Sequence, residues 1–336
     1  MDIPNLQKPA KINFIWLKCY PNGTMTIRMP RPNPEEMRNP FSEEDLPLTE
    51  TLQTWTPWIV GVWFVLLFGI ECVRPLRRPT RPGWGRLGLN AAAVALALGV
   101  AAVTVAPTIA GVLNWTRNTE FGLVRLAGLP PLVSLAVGLL LLDWSFYWWH
   151  RLNHAWPLLW RFHNMHHIDP DLDCTTAFRF HAGEIAYSTA FRAVQIGLIG
   201  PSALTIAVYE LLFLSGTVFH HSNVRLPMAL ERALNLVFVT PRMHGVHHSV
   251  IRDETNSNYS VVFRWWDPLH RTLRLNVPQD TIRIGVAAYT RPEDNSPVSV
   301  LLLPFWRQRD YWRTPQGEAS QARTEWDPAG RGRMAE

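Results

Sequence analysis

The chain has only 3 cysteines in 336 residues, Cys19, Cys72 and Cys174, and no two of them form a CxxC pair. That spacing excludes a disulfide framework and a cysteine-held iron–sulfur cluster, and isolated thiols fit a reducing side for the working part. There is no GxGxxG fingerprint and no P-loop, so nucleotide recognition through either motif is excluded. No basic n-region followed by an apolar h-region opens the chain, and no signal peptide is expected. Charged residues make up only 18%, and the first fifty residues balance six Lys or Arg against seven Asp or Glu, so no nucleic-acid partner is expected. The most informative absence is histidine. None of the 12 lies before residue 150, where even scatter would place about five.

What is there begins at His150. The run HRLNHAWPLLWRFHNMHH, residues 150 to 167, holds five histidines, and His244-Gly-Val-His247-His248 repeats its HxxHH ending, with His220 and His221 in between. Residues three and four apart share a helix face. His150 and His154 are therefore expected on one face, and His163, His166 and His167 on another, each group a ready-made imidazole cluster. Imidazole binds Zn, Cu, Fe and Ni alike. A structural zinc closes with four ligands, whereas eight or more clustered histidines suffice for two metals. No Glu-x-x-His pair and no His-Glu-x-x-His occurs, which argues against a carboxylate-bridged centre of the ferritin-like kind and against a zinc protease.

Around these histidines the composition is that of a small polytopic membrane protein, 47% hydrophobic with 16 Trp. Apolar runs at about Trp58 to Val73, Leu89 to Val112 and Leu132 to Trp149 are candidate spans, with Pro107 expected to kink the second. The run Ile185 to Phe219, broken at Gly200-Pro201, reads as a helical hairpin that enters and leaves on one side and returns His220 and His221 to the other clusters. Arg74, Arg77, Arg78, Arg81 and Arg86 lie between the first two spans, against Arg117 and Arg125 in the next link. The positive-inside rule then puts the first link, and with it His150, on the cytoplasmic side. The expected fold is all-α: a polytopic membrane helical bundle whose cytoplasmic helical cap carries a histidine-rich di-metal site. Its divisions are an irregular tail over 1–54, transmembrane helices over 55–130, a catalytic domain over 131–289 and a mostly irregular tail over 290–336.

A wider set of residues carries a family resemblance. Asp143, Tyr147, His150-Arg151, His154, Leu159-Trp160-Arg161-Phe162-His163 and His166-His167 are followed by Thr175-Thr176-Ala177, Arg179-Phe180-His181 and Glu184. Then come Phe219, His221 and Asn223, the stretch from His244 to His248, Asn258-Tyr259, and Trp266-Asp267 with Thr272. Over about residues 131 to 275 this resembles the fatty acid hydroxylase / sterol desaturase superfamily of integral-membrane di-iron enzymes. The chain has Ala182 where the family usually has Pro, Ser260 where Gly is usual, and His270-Arg271 where Phe-Gly is usual; these departures touch the substrate subgroup.

The resemblance implies two non-haem iron ions that activate O2 against an unactivated C–H bond of a lipid, a fatty acyl chain, a sterol or another polycyclic lipid, by hydroxylation or desaturation. The expected ligands are His150, His154, His163, His166, His167, His221, His244, His247 and His248, with His181 and His220 as further candidates. Asp143, Asp173, Glu184 and Asp267 are candidates to accept the second N–H of a ligating histidine, with Arg151 the competing partner for Asp143. Asn223, Asn258 and Tyr259 are expected to add hydrogen bonds around the centre, and Trp144, Phe146, Tyr147, Trp148 and Trp149 to line a lipid channel or form an interfacial belt. Reducing O2 needs external electrons, and no carrier motif stands in the chain. A separate ferredoxin- or cytochrome-type donor with its reductase is therefore expected. The competing reading is a non-redox, zinc-binding membrane protein of the same fold.

Overall fold

A computed structural model describes residues 17–19, 25–27, 46–80, 83–320 and 334. It separates into two units, 1–40 and 41–336. Within the first, β1 (Leu17–Cys19) and β2 (Met25–Ile27) pair antiparallel with Leu17 opposite Ile27.

The second unit is helical. The first helix, α1, covers Leu46–Val73 and so begins before residue 55, inside the stretch expected to be irregular. The next apolar run forms α2 (Trp84–Val103) and α3 (Val105–Thr119), which meet at Thr104. Pro107 explains the position of that break. It lacks an N–H for the Val103 carbonyl, and its ring crowds the preceding turn. A short α4 (Leu123–Leu126) leads into α5 (Pro131–Ala155), which carries His150 and His154 on its last turns. Pro157 then starts α6 (Pro157–His167), so the two halves of the histidine run lie on different helices.

A 3₁₀ turn over Cys174–Phe178, capped by Asp173, precedes the expected hairpin of α7 (Ala182–Ile199) and α8 (Ala203–His221). The cap continues with α9 (Met228–Leu234), α10 (Pro241–His247), α11 (Arg252–Thr255) and α12 (Trp266–Leu269). Beyond residue 289 the chain is not merely a tail. A helix α13 (Pro297–Leu302) buries Val300, and the following turn buries Leu303, in one cluster with Trp160, Met165 and Ile168 of the α6 region.

Among the described residues, four helical stretches are long and apolar enough to cross a membrane: Pro47–Val73, Trp84–Leu126, Pro131–Ala155 and Ala203–His221. Much of their apolar surface faces outward, as at Trp58, Val65 and Leu98, which is what lipid rather than water requires. The histidines sit where α5 and α8 end. At the opposite ends of the bundle, Gly122 and Gly200 pack backbone against backbone, and a Cβ on Gly122 would overlap the Gly200 Cα. Both have positive φ, +117° and +63°, which side chains rarely adopt. Gly122→Ala should therefore destabilise the folded protein by about 1–3 kcal/mol, the usual range for overpacking and strain. A melting temperature in detergent equal to that of the unsubstituted protein would remove this reading of the contact.

Candidate metal centre

Nine of the eleven candidate ligands meet in two adjoining clusters. His150, His154, His163, His167 and His247 form one, and His166, His221, His244 and His248 the other, with the ligand nitrogens of each within 4.8 Å of one another. The histidine-bearing helices do not each supply a single cluster, as the face argument suggested for His163, His166 and His167. Neighbouring residues on a helix diverge by about 100°, so the two HH pairs split. His167 and His247 turn into the first cluster, while His166 and His248 turn into the second. The i,i+4 pairs His150/His154 and His163/His167 serve the first cluster, and His244/His248 serves the second. The stacked rings of His167 and His248, 4.4 Å apart, lie at the seam.

The nitrogens have the spacing of a metal's ligand shell. In the second cluster, His221 Nε2 lies 3.0 Å from both His166 Nε2 and His244 Nε2, and His244 Nε2 lies 3.1 Å from His248 Nε2. Metal–nitrogen bonds of about 2.1 Å at angles of 90–110° put neighbouring nitrogens roughly 3.0–3.4 Å apart. In the first cluster, the His154, His167 and His247 rings stand 4.6–4.8 Å apart.

Tautomers set by outer partners aim the lone pairs inward. His150 donates from Nδ1 to the Tyr259 carbonyl (2.8 Å), His163 to Glu184 Oε1 (2.8 Å), His221 to the Thr217 carbonyl (2.8 Å) and His247 to the Ser257 carbonyl (2.7 Å). Six buried ring nitrogens of the first cluster, on His154, His163, His167 and His247, have no protein partner. At about 1–3 kcal/mol for each unmet polar group, their combined cost is on the order of 10 kcal/mol, comparable to the whole stability of a domain. Metal ions are the natural recipients. Burial, reinforced by the neighbouring imidazoles, pushes His166, His167, His244 and His248 well below the usual histidine range, and burial likewise depresses His247. Metal coordination needs that neutral form.

The other candidates fall outside the clusters. His181 has both nitrogens engaged: Nδ1 accepts from the Gly183 N–H at the start of α7, and Nε2 lies 3.0 Å from the Leu301 carbonyl. His220 borders the second cluster, its ring 4.2 Å from that of His244. Asp143 meets neither a clustered histidine nor Arg151. It accepts from the Phe263 N–H (2.9 Å), the Trp266 Nε1–H (2.7 Å) and the Val262 N–H (3.3 Å), and thereby holds the strand-like segment that crosses α5.

Asp267 accepts from the Tyr259 and Ser260 N–H groups (2.8 and 3.0 Å), fixing the peptide whose carbonyl orients His150. Asn258, at φ +52°, donates to the Met243 and Arg274 carbonyls. Asp173 caps its 3₁₀ turn and pairs with Arg86 at 2.5 Å. Of these four expected helpers, then, none touches a clustered histidine, whereas Glu184 and the Tyr259 carbonyl do. The aromatic run divides too. Trp144 and Trp148 are exposed in the manner of a belt, while Phe146 packs at a tilt against Phe213 and Trp149 stacks on Phe191.

Gln279 was not singled out from the sequence, and Arg77 was read only as one of the arginines of the first link. Asn223 holds the Arg77 backbone at both ends, through Oδ1 to its N–H (2.9 Å) and Nδ2 to its carbonyl (2.7 Å). The Arg77 guanidinium reaches Gln279 Oε1 (2.6 Å), and Gln279 Nε2 donates to the Arg242 carbonyl on α10 (3.1 Å). Gly245, inside the second HxxHH, leaves room for this bridge, since a Cβ there would overlap the guanidinium. The end of α8, which carries His221, and the start of α10, the helix that carries His244 and is followed by His248, are tied by one clamp.

These contacts define the class: an integral-membrane helical protein whose histidine-rich interior forms two clusters that could each hold a metal ion. Residues 135–272 match the fatty acid hydroxylase family, and the remainder of the chain lies outside that match. It is 30% identical over 158 residues to the ornithine lipid hydroxylase OlsE of Rhizobium tropici, covering 47% of this chain and 46% of that one. It is 31% identical over 165 residues to a cholesterol 25-hydroxylase-like protein of Danio rerio (48% and 64%). With the alkylglycerol monooxygenase of Homo sapiens it shares 30% identity over 178 residues (52% and 37%). The chain thus aligns with less than two thirds of each of these relatives. No solved structure matches it.

Substitutions should separate the two clusters. Glu184→Ala removes the acceptor that orients His163 and should weaken metal binding at the first cluster by about 10–100-fold, the usual cost of losing such a partner. Gly245→Ala should instead weaken the second. Equilibrium dialysis of the refilled protein should give one tight and one weak ion for each variant, in opposite clusters by spectroscopic assignment. Loss of both ions together in both variants would contradict independent support.

Proposed function

We propose that this protein is an O2-dependent lipid hydroxylase that holds two iron ions at His150, His154, His163, His167 and His247, and at His166, His221, His244 and His248. The observation that carries the reading is the convergence of nine histidines, seven of them buried and His150 and His154 half-buried, four of the nine with the Nδ1–H turned outward to an oxygen acceptor. Iron held there supplies O2 activation for attack on an unactivated C–H bond.

The chain's own residues supply the rest. Neutral imidazoles leave the positive charge of the ions undiminished, and the Glu184 carboxylate, which receives the His163 N–H, stands one residue further out. The depressed basicity of His166, His167, His244, His247 and His248 favours the neutral form that metal binding needs. Tyr259, its ring 5.2 Å from that of His154, helps to exclude water from the first cluster. The relatives named above act, by their names, on an ornithine lipid, cholesterol or an alkylglycerol, which supports a lipid substrate for this chain. Hydroxylation rather than desaturation follows the same names.

The zinc-binding alternative is tested by metal identity, because zinc has no redox chemistry. Protein purified without chelator should contain close to two irons per chain. Refilled with iron it should oxidise a lipid extract, and refilled with zinc it should not. One metal per chain, or equal activity with zinc, would overturn the proposal.

The histidine clusters face the cytoplasm in this reading, and electrons come from a separate protein or domain of ferredoxin or cytochrome type. The arginines of the link after α1 support the orientation, and the absence from this sequence of any dinucleotide or iron–sulfur motif supports the separate donor. In vesicles of known sidedness, a ferredoxin with its reductase should sustain turnover only from the face opposite the link 114–130. Turnover with NADH or NADPH and no second protein, or donor access from the other face, would refute it.

A further inference from the structure

Beyond the site, one surface has no place in the account above. In the segment 297–306, Val298, Leu301, Leu302, Phe305 and Trp306 are exposed, Val298 at 62% and Phe305 at 68%. Their neighbours Val300, Leu303 and Pro304 are buried, so the segment presents one face to the protein and an apolar face outward. Exposed apolar patches of this kind mark an interaction surface.

Its position argues for what covers it. The Phe305 ring lies 5.8 Å from that of Phe162 and 6.1 Å from that of His181, which places the patch where α6 begins and α7 starts its run away from the histidines. Trp156 and Leu158, exposed at the junction of α5 and α6, continue the outward apolar surface of the membrane-spanning α5. Arg307, exposed, follows Trp306 directly, and aromatic side chains next to a cation are the usual composition of a headgroup-level anchor.

We propose that 297–306 is a membrane-surface anchor that seats this edge of the cap in the headgroup layer of the bilayer its spans cross. The occupant is a lipid surface. The anchor is joined to the metal site by a short path. The Leu301 carbonyl engages His181 Nε2, His181 caps the start of α7, and Glu184 in the first turn of α7 accepts the His163 N–H. Seating in the bilayer therefore sets the frame in which one ligand of the first cluster is oriented.

The test uses the full chain in liposomes, with Cys19 and Cys72 replaced by Ser and the buried Cys174 retained. Leu302→Cys and Phe305→Cys, in separate proteins, are labelled with an environment-sensitive fluorophore, and Glu293→Cys, on the exposed turn before α13, serves as the water-facing control. Phospholipids brominated near the glycerol should quench the labels at 302 and 305 at least two-fold more than the label at 293, and aqueous iodide should show the reverse order. Iodide quenching at 302 and 305 equal to that at 293 places the segment in water and overturns the proposal. Quenching by neither agent places it against protein, which overturns it equally. Retention of the unsubstituted protein's metal content shows that the labelled proteins are folded.

Discussion

Nine imidazoles facing one another, seven of them buried, form the constraint on which the rest of the structure depends. Each must be neutral to offer a lone pair, and six ring nitrogens on His154, His163, His167 and His247 have given up water without gaining a partner from the protein. No single element can supply such a set, because a helix presents only two or three side chains toward one point. The chain therefore brings the ends of α5 and α8 against α6 and α10, and it needs long apolar helices to anchor those ends.

The means of orienting the rings explain why so few carboxylates stand near the site. Three of the four outward N–H groups go to backbone carbonyls, of Tyr259, Thr217 and Ser257, and only His163 uses a carboxylate. A carbonyl fixes the tautomer without adding a negative charge. Acids then act one step further out: Asp143 and Asp267 hold the peptides around Tyr259 to Trp266, and the position of the Tyr259 carbonyl follows from them. Asp169, directly beyond His167 and Ile168, is pinned between Arg86 and Arg179. Burial alone would raise its carboxyl, and the two guanidinium groups outweigh this and hold it below the usual range.

The histidine motifs, the membrane spans, the kink near Pro107 and the hairpin broken at Gly200 were legible in the sequence because each rests on local rules of period, length or backbone. Membership of the clusters was legible for the same reason, although their partition was not. Helical spacing says which side chains share a face, but which of two neighbouring points His166 and His167 meet depends on where α8 and α10 lie. Asp143 misled because a carboxylate two turns before His150 has no sequence mark that separates a histidine partner from a backbone clamp. His181 misled because its competing partner, the Leu301 carbonyl, is 120 residues away. Carbonyl acceptors leave no residue-type signal at all.

The segment shared with the family stops short of what the centre requires. Glu71, at the end of α1, accepts the Asn223 N–H at 2.7 Å and the Cys174 N–H at 3.2 Å, joining the end of α8 to the turn after α6. Arg77 and Gln279 carry that end on to α10, and Arg86 and Asn90 of α2 bind the Asp169 carboxylate. All five residues lie outside 135–272. Since the four histidine-bearing helices are tied together partly through α1, α2 and the link between them, those first helices are walls of the site as well as membrane spans. Changes there reach the clustered histidines through hydrogen bonds of 2.6–3.2 Å rather than through the bilayer.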